Sequence, residues 1–142
     1  MKILIVDASV AAKWFLREAQ HEIASELRRA ADNDDLKLLV PEVFYLEMGS
    51  IFRKKVKEGL LKPQDALETF ARLEEISMDR YSDKELAEVS LEIALKYEIS
   101  VYDAAYVGLA SACGAPLVTA DEVLLKKCRK HGFEYIRALR DL

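Results

Sequence analysis

Ile3-Leu4-Ile5-Val6, closed by Asp7, is a run that is apolar on both faces, and its reading decides the fold. A strand without alternation is buried from both sides, as in a parallel sheet covered by helices above and below. Short runs of the same type recur at 36–40, 76–79, 116–119 and 134–136. Between them, helical periodicity marks 9–17, 20–32, 42–58, 63–74, 83–97, 103–113 and 122–131. Gly114 and Gly132 fall just past the ends of two of these helices, and Pro63 stands at the start of another. The alternation predicts an α/β class: a central parallel sheet of about four to five strands with helices on both faces, three layers in all. No repeat, low-complexity tract or linker divides the 142 residues, so 1–142 reads as a single domain.

In such sheets ligands bind beyond the carboxyl ends of the strands. Asp7 and Asp121 fall there, the latter two residues after Pro116-Leu117-Val118-Thr119. Two more acids sit in apolar surroundings: Glu47 inside Val43-Phe44-Tyr45-Leu46-Glu47-Met48-Gly49-Ser50-Ile51-Phe52, and Asp103 at the head of Tyr102-Asp103-Ala104-Ala105-Tyr106-Val107. If folding gathers these four, each pair about 4 Å apart repels by about 4 kcal/mol at an effective dielectric near 20. A hard divalent cation relieves that repulsion.

Each acid also has an ordinary structural reading. Asp7 or Ser9 caps the helix after the first strand. Ser100 and Asp103 fit a capping box, and so do Thr119 and Glu122, with Asp121 as a further cap. Asp103 nevertheless shares a helix face with Tyr106, Val107 and Ala110, and no cation lies within a turn of it. Glu47 is flanked on its face by Val43 and Ile51, where a solvated acid would have polar neighbours.

Composition narrows the function classes. A chain 51% hydrophobic and 32% charged is globular, neither disordered nor membrane-embedded. The apolar run near the N-terminus is too short for a signal-peptide core, so a cytoplasmic location is expected. Cys113 and Cys128 have no partner at zinc-ligand spacing, His21 and His131 stand alone, and neither zinc nor a disulfide is expected. Few amides (Asn33, Gln20, Gln64) alongside abundant Glu and Lys hint at heat adaptation. The net charge of −4 neither indicates nor excludes nucleic-acid binding. Cations cluster at Arg53-Lys54-Lys55-Val56-Lys57 and Lys126-Lys127-Cys128-Arg129-Lys130, each also readable as a solvated helix end. Trp14, Phe15, Phe44, Tyr45 and Phe52 belong to the core or to a dimer interface, with the core as the default. There is no Walker loop, GxGxxG, GxSxG or His-based triad, which leaves metal-assisted hydrolysis as the chemistry in view.

The segments Ile5-Val6-Asp7-Ala8-Ser9, Val40-Pro41 leading to Glu47, Tyr102-Asp103-Ala104-Ala105-Tyr106-Val107-Gly108-Leu109-Ala110 and Leu117-Val118-Thr119-Ala120-Asp121 together resemble the PIN-domain nucleases, above all VapC-type toxins. The resemblance runs over essentially the whole chain. It implies a PIN-like fold and a metal-dependent endoribonuclease in which Asp7, Glu47, Asp103 and Asp121 are the catalytic and metal-site acids for Mg²⁺ or Mn²⁺. Ser9 and Thr119 would be supporting hydroxyls. Ser50 occupies a position where many relatives carry Asn. An RNA substrate, a small antitoxin and a homodimer are implied as partners, with no membrane. Lys54, one turn beyond Ser50, is the expected phosphate contact, ahead of Arg53 and Lys57.

Three rival readings remain. An Asp-nucleophile phosphatase would use Asp7, but Ser9 stands where that chemistry wants a second acid. A receiver module would want more acids at the first strand end. An RNA- or antitoxin-binding protein with this fold and little turnover is the third.

Overall fold

The computed structural model describes residues 2–142. Five strands, β1 (Lys2–Val6), β2 (Leu36–Pro41), β3 (Asp79–Tyr81), β4 (Leu117–Thr119) and β5 (Ile136–Ala138), form one parallel sheet in the order β3-β2-β1-β4-β5. Seven helices flank it: α1 (Ala8–Ala11), α2 (His21–Asp32), α3 (Val43–Lys57), α4 (Pro63–Glu74), α5 (Asp83–Tyr97), α6 (Val101–Cys113) and α7 (Glu122–Lys130). The central strands are sealed on both faces, as their unbroken apolar runs require: Ile5, Val6, Leu38, Val40, Leu117 and Val118 are at most 1% exposed.

The order of the strands positions the site. Successive strands run outward from β1 to β3, then the chain returns through α6 and places β4 on the other side of β1. The switch point is therefore between the carboxyl ends of β1 and β4, where Asp7 and Asp121 begin the loops to the next helices.

Three expected elements differ in place. The helix expected over 9–17 is one α-turn, α1, followed by a 3-10 turn at Ala12–Trp14. The Lys13 carbonyl, which a longer helix would use, is bonded by His21 Nδ1 at 2.6 Å, and the Trp14 indole donates to the Ala24 carbonyl at 2.9 Å. Docking onto α2 thus stops the helix. The third strand lies at Asp79–Tyr81, not 76–79, because buried Ile76 belongs to the turn closing α4. The fifth is Ile136–Ala138, two residues later than expected, with Ile136 opposite Leu117.

The expected helix ends are in place. Gly114 (φ +59°) and Gly132 (φ +77°) adopt the left-handed conformation after α6 and after α7, and Pro63 opens α4. Of the aromatics expected inside, Trp14, Phe44 and Phe52 are buried, while Phe15 and Tyr45 are partly buried against the same core.

Candidate active site

Asp7 is the anchor of the site. It is 5% exposed and accepts hydrogen bonds at both carboxylate oxygens. Oδ1 takes the Ser9 hydroxyl and the Val10 N–H (3.2 Å), and Oδ2 takes the Thr119 hydroxyl. The two hydroxyls are themselves aimed. Ala120 N–H donates to Ser9 Oγ and Asp121 N–H to Thr119 Oγ1, both at 3.0 Å, so each hydroxyl proton is directed at Asp7. The turn after β4 therefore holds the carboxylate at the end of β1. Burial pushes the Asp7 carboxyl up to about 6, although Ser9, Thr119 and Val10 pull it down; Asp103 adds to the rise.

Asp121 caps α7. Its Oδ1 accepts from Val123 N–H (3.0 Å) and Leu124 N–H (3.1 Å), leaving Oδ2 clear of those bonds. Asp7 likewise caps α1 through Oδ1. Capping and ligand roles fall largely on different oxygens, so the two readings of these acids are compatible. Thr119 is not a helix cap here, and its hydroxyl joins the strand ends instead.

Glu47, on α3, is half-buried and accepts the Tyr106 hydroxyl at Oε1 (2.7 Å). Its helix is not buried all round, because Leu46 beside it is 78% exposed. Burial raises the Glu47 carboxyl above its ordinary value, Tyr106 opposes this, and Asp103 and Asp7 add to it. Asp103 is in the first turn of α6, where Ser100 Oγ accepts its N–H at 3.0 Å. Burial again raises its carboxyl, followed by repulsion from Asp121, while Ser100 and Lys127 lower it. The mutual repulsions run Glu47–Asp7–Asp103–Asp121, so the fold brings all four acids into one electrostatic neighbourhood.

Ser50 lies beside Glu47 in an open groove of about 410 Å³ that also has Ala8, Arg53, Lys54 and Lys57 on its walls. It makes no side-chain hydrogen bond to Glu47 among the described residues. Arg53, Lys54 and Lys57 are exposed there and in no ion pair among the described residues, whereas Lys55, pointing elsewhere, pairs with Glu58.

Two residues escaped the sequence reading. Tyr106 bonds Glu47 across 59 positions, and its place three residues after Asp103 on one helix face was the signal. Lys127 is the cation near Asp103, brought from α7, its ammonium donating to the Glu98 carbonyl at 2.7 Å. Cys128 is buried with its thiol pushed up to about 11, an inert state.

The donor set is oxygen throughout, which fits a hard cation and not zinc. Among the described residues no three His, Cys, Asp or Glu side chains close into a preformed cage.

A parallel α/β domain with acids gathered at its topological switch point, and a groove beside Glu47 lined by Arg53, Lys54 and Lys57, defines the class. Residues 4–130 match the PIN domain, and the chain belongs to that family. Ribonuclease VapC3 of Pyrobaculum aerophilum is 32% identical over 126 residues, covering 87% of this chain and 93% of that protein. The crystal structure of PAE2754 from Pyrobaculum aerophilum superimposes with a TM-score of 0.71 at 23% identity, covering 99% of this chain and 85% of that one. A toxin–antitoxin complex from Klebsiella pneumoniae gives 0.63 at 13% identity, covering 96% and 97%. Among the described residues no helix is long and apolar enough to cross a membrane.

Proposed function

We propose that this protein is a metal-dependent endoribonuclease that hydrolyses RNA phosphodiester bonds, and that it is the toxin of a toxin–antitoxin pair. The observation that carries the reading is the gathering of Asp7, Glu47, Asp103 and Asp121 at one sheet edge, three of them with carboxyls raised by burial and by one another. Carboxylates kept close at such a cost need a cation when charged. The name of the VapC3 relative supports RNA as the substrate, and the toxin–antitoxin neighbour supports a small protein inhibitor.

Asp7, Glu47, Asp103 and Asp121 would hold Mg²⁺ or Mn²⁺. Such an ion supplies activation of water and neutralisation of charge on the attacked phosphate. Asp7 is fixed for this by Ser9 and Thr119, with one lone pair of Oδ2 left over. Glu47 is fixed by Tyr106 at Oε1, which leaves Oε2 for the ion or its water. Lys54, with Arg53 and Lys57, draws the RNA backbone into the groove beside Glu47. An Asp7 bonded at both oxygens suits a fixed ligand better than a phosphatase nucleophile. A homodimer belongs to the same reading, with exposed Leu46, Leu91, Leu95 and Tyr102 as apolar surface for it. The place of action would be the cytoplasm, where RNA is the available substrate.

The test is cleavage of a mixed RNA panel by the purified protein with Mg²⁺, with Mn²⁺ and with EDTA, beside Asp7→Asn and Asp103→Asn. Metal-dependent cutting that both substitutions abolish is expected. Cutting that persists in EDTA, or survives both substitutions, would overturn the reading.

A further inference from the structure

Tyr106 is spent on a single polar contact. It is 1% exposed, on the core side of α6, yet its hydroxyl lies in the field of Glu47, Asp7 and Asp103. There it donates its only proton to Glu47 Oε1 at 2.7 Å. The rest of the described bonding makes this contact stand out. α3 is tied to α5 by the Val43 N–H to Asp83 bond at 3.1 Å, but no other described hydrogen bond joins α3 to α6. Glu47 and Asp103 therefore stand on two helices joined by one described hydrogen bond.

The side chains show what that bond does. A glutamate has three rotatable bonds to order, and Glu47 is only half-buried beside a groove. Tyr106 has two, both locked by burial, so its hydroxyl is a fixed post. Pinning Oε1 to it leaves Oε2 as the free end of Glu47. We propose that Tyr106 is a positioning residue which sets Glu47 for metal binding. The inference rests on the proposed metal site and adds a residue to it.

Partners that orient a metal-binding carboxylate are typically worth roughly 10–100-fold in metal affinity. The experiment is calorimetric titration of Mn²⁺ into metal-free wild-type protein, Tyr106→Phe, Glu47→Gln and the double variant, each with its melting temperature. Phe keeps the buried ring and removes the hydroxyl. Tyr106→Phe should weaken Mn²⁺ binding roughly tenfold in wild type and produce no further loss when Glu47→Gln is already present. Wild-type affinity in Tyr106→Phe, with only the melting temperature altered, would reduce Tyr106 to a core residue and overturn the proposal. So would losses that add independently in the double variant. Absence of Mn²⁺ binding by the wild type would overturn the metal site itself, and this inference with it.

Discussion

The Thr119 hydroxyl at the end of β4 donates to Asp7 Oδ2 at the end of β1, joining residues 112 apart in sequence at the point where the sheet reverses its order. The same hydroxyl accepts the Asp121 N–H, so one side chain couples the acids of both strand ends. Thr119→Val keeps the shape but removes both functions. It leaves Asp7 with one fewer donor and the Asp121 N–H unpaired. RNA cleavage should fall by roughly 10–100-fold, while Thr119→Ser should stay close to wild type. Equal activity in the Val and Ser variants would show that the hydroxyl is dispensable.

Asp7 makes the metal-free protein less stable as pH rises. Its carboxyl titrates near 3.8 when unfolded and about 6 when folded. Between those values the native state binds more protons than the unfolded one, so stability falls with increasing pH and the full loss is present above about 6. The loss is on the order of 3 kcal/mol. Asp7→Asn removes it. In EDTA the variant should melt several degrees above wild type at neutral pH and close to it near pH 4. Thermal scans across that range decide the matter, and a stability gap that does not change with pH would contradict it. Added Mg²⁺ should raise the melting temperature of wild type only.

Lys54 lines the groove beside Glu47 with no carboxylate partner among the described residues. If it meets an RNA phosphate, Lys54→Ala should weaken binding across sequences alike. It should also reduce the slope of log affinity against log salt by roughly 0.7 for a single strand. Binding measured at several salt concentrations in the Asp103→Asn background, which should leave RNA uncut, separates this from an effect on cleavage. An unchanged slope would move the backbone path away from α3.

How much of this was legible in the chain depends on where each signal resides. β1 announced itself because a strand buried on both faces must be apolar at every position, and Asp7 and Asp121 gain their meaning from the strands they end. β3 did not, since an edge strand is covered less: Asp79, Arg80 and Tyr81 are polar or amphipathic, and the apolar Ile76 nearby is a turn residue. The cation near Asp103 was illegible for another reason. Lys127 comes from a helix 24 positions later, and no local window holds both. Tyr106 was visible as a face-mate of Asp103, but that its hydroxyl reaches α3 depends on how the two helices pack on the sheet.

Ser90 tests the packing of α5 against α6. Its hydroxyl is the buried side-chain polar atom left without a hydrogen-bond partner among the described residues. It lies where α5 packs against α6: a Cβ on Gly108 would meet Val89 Cγ1 at 3.2 Å and Ser90 Oγ at 3.9 Å. An unpaired buried hydroxyl costs stability, and Ala is also the better helix residue. Ser90→Ala should therefore stabilise the protein by about 1 kcal/mol, raising the melting temperature by about 3 °C. Cleavage should not change, because Ser90 makes no contact with the four acids. A variant that melts higher but cuts more slowly would show that the strain at this contact matters to α6, the helix that presents both Asp103 and Tyr106. A variant that melts lower would mean that the hydroxyl has a partner in solution.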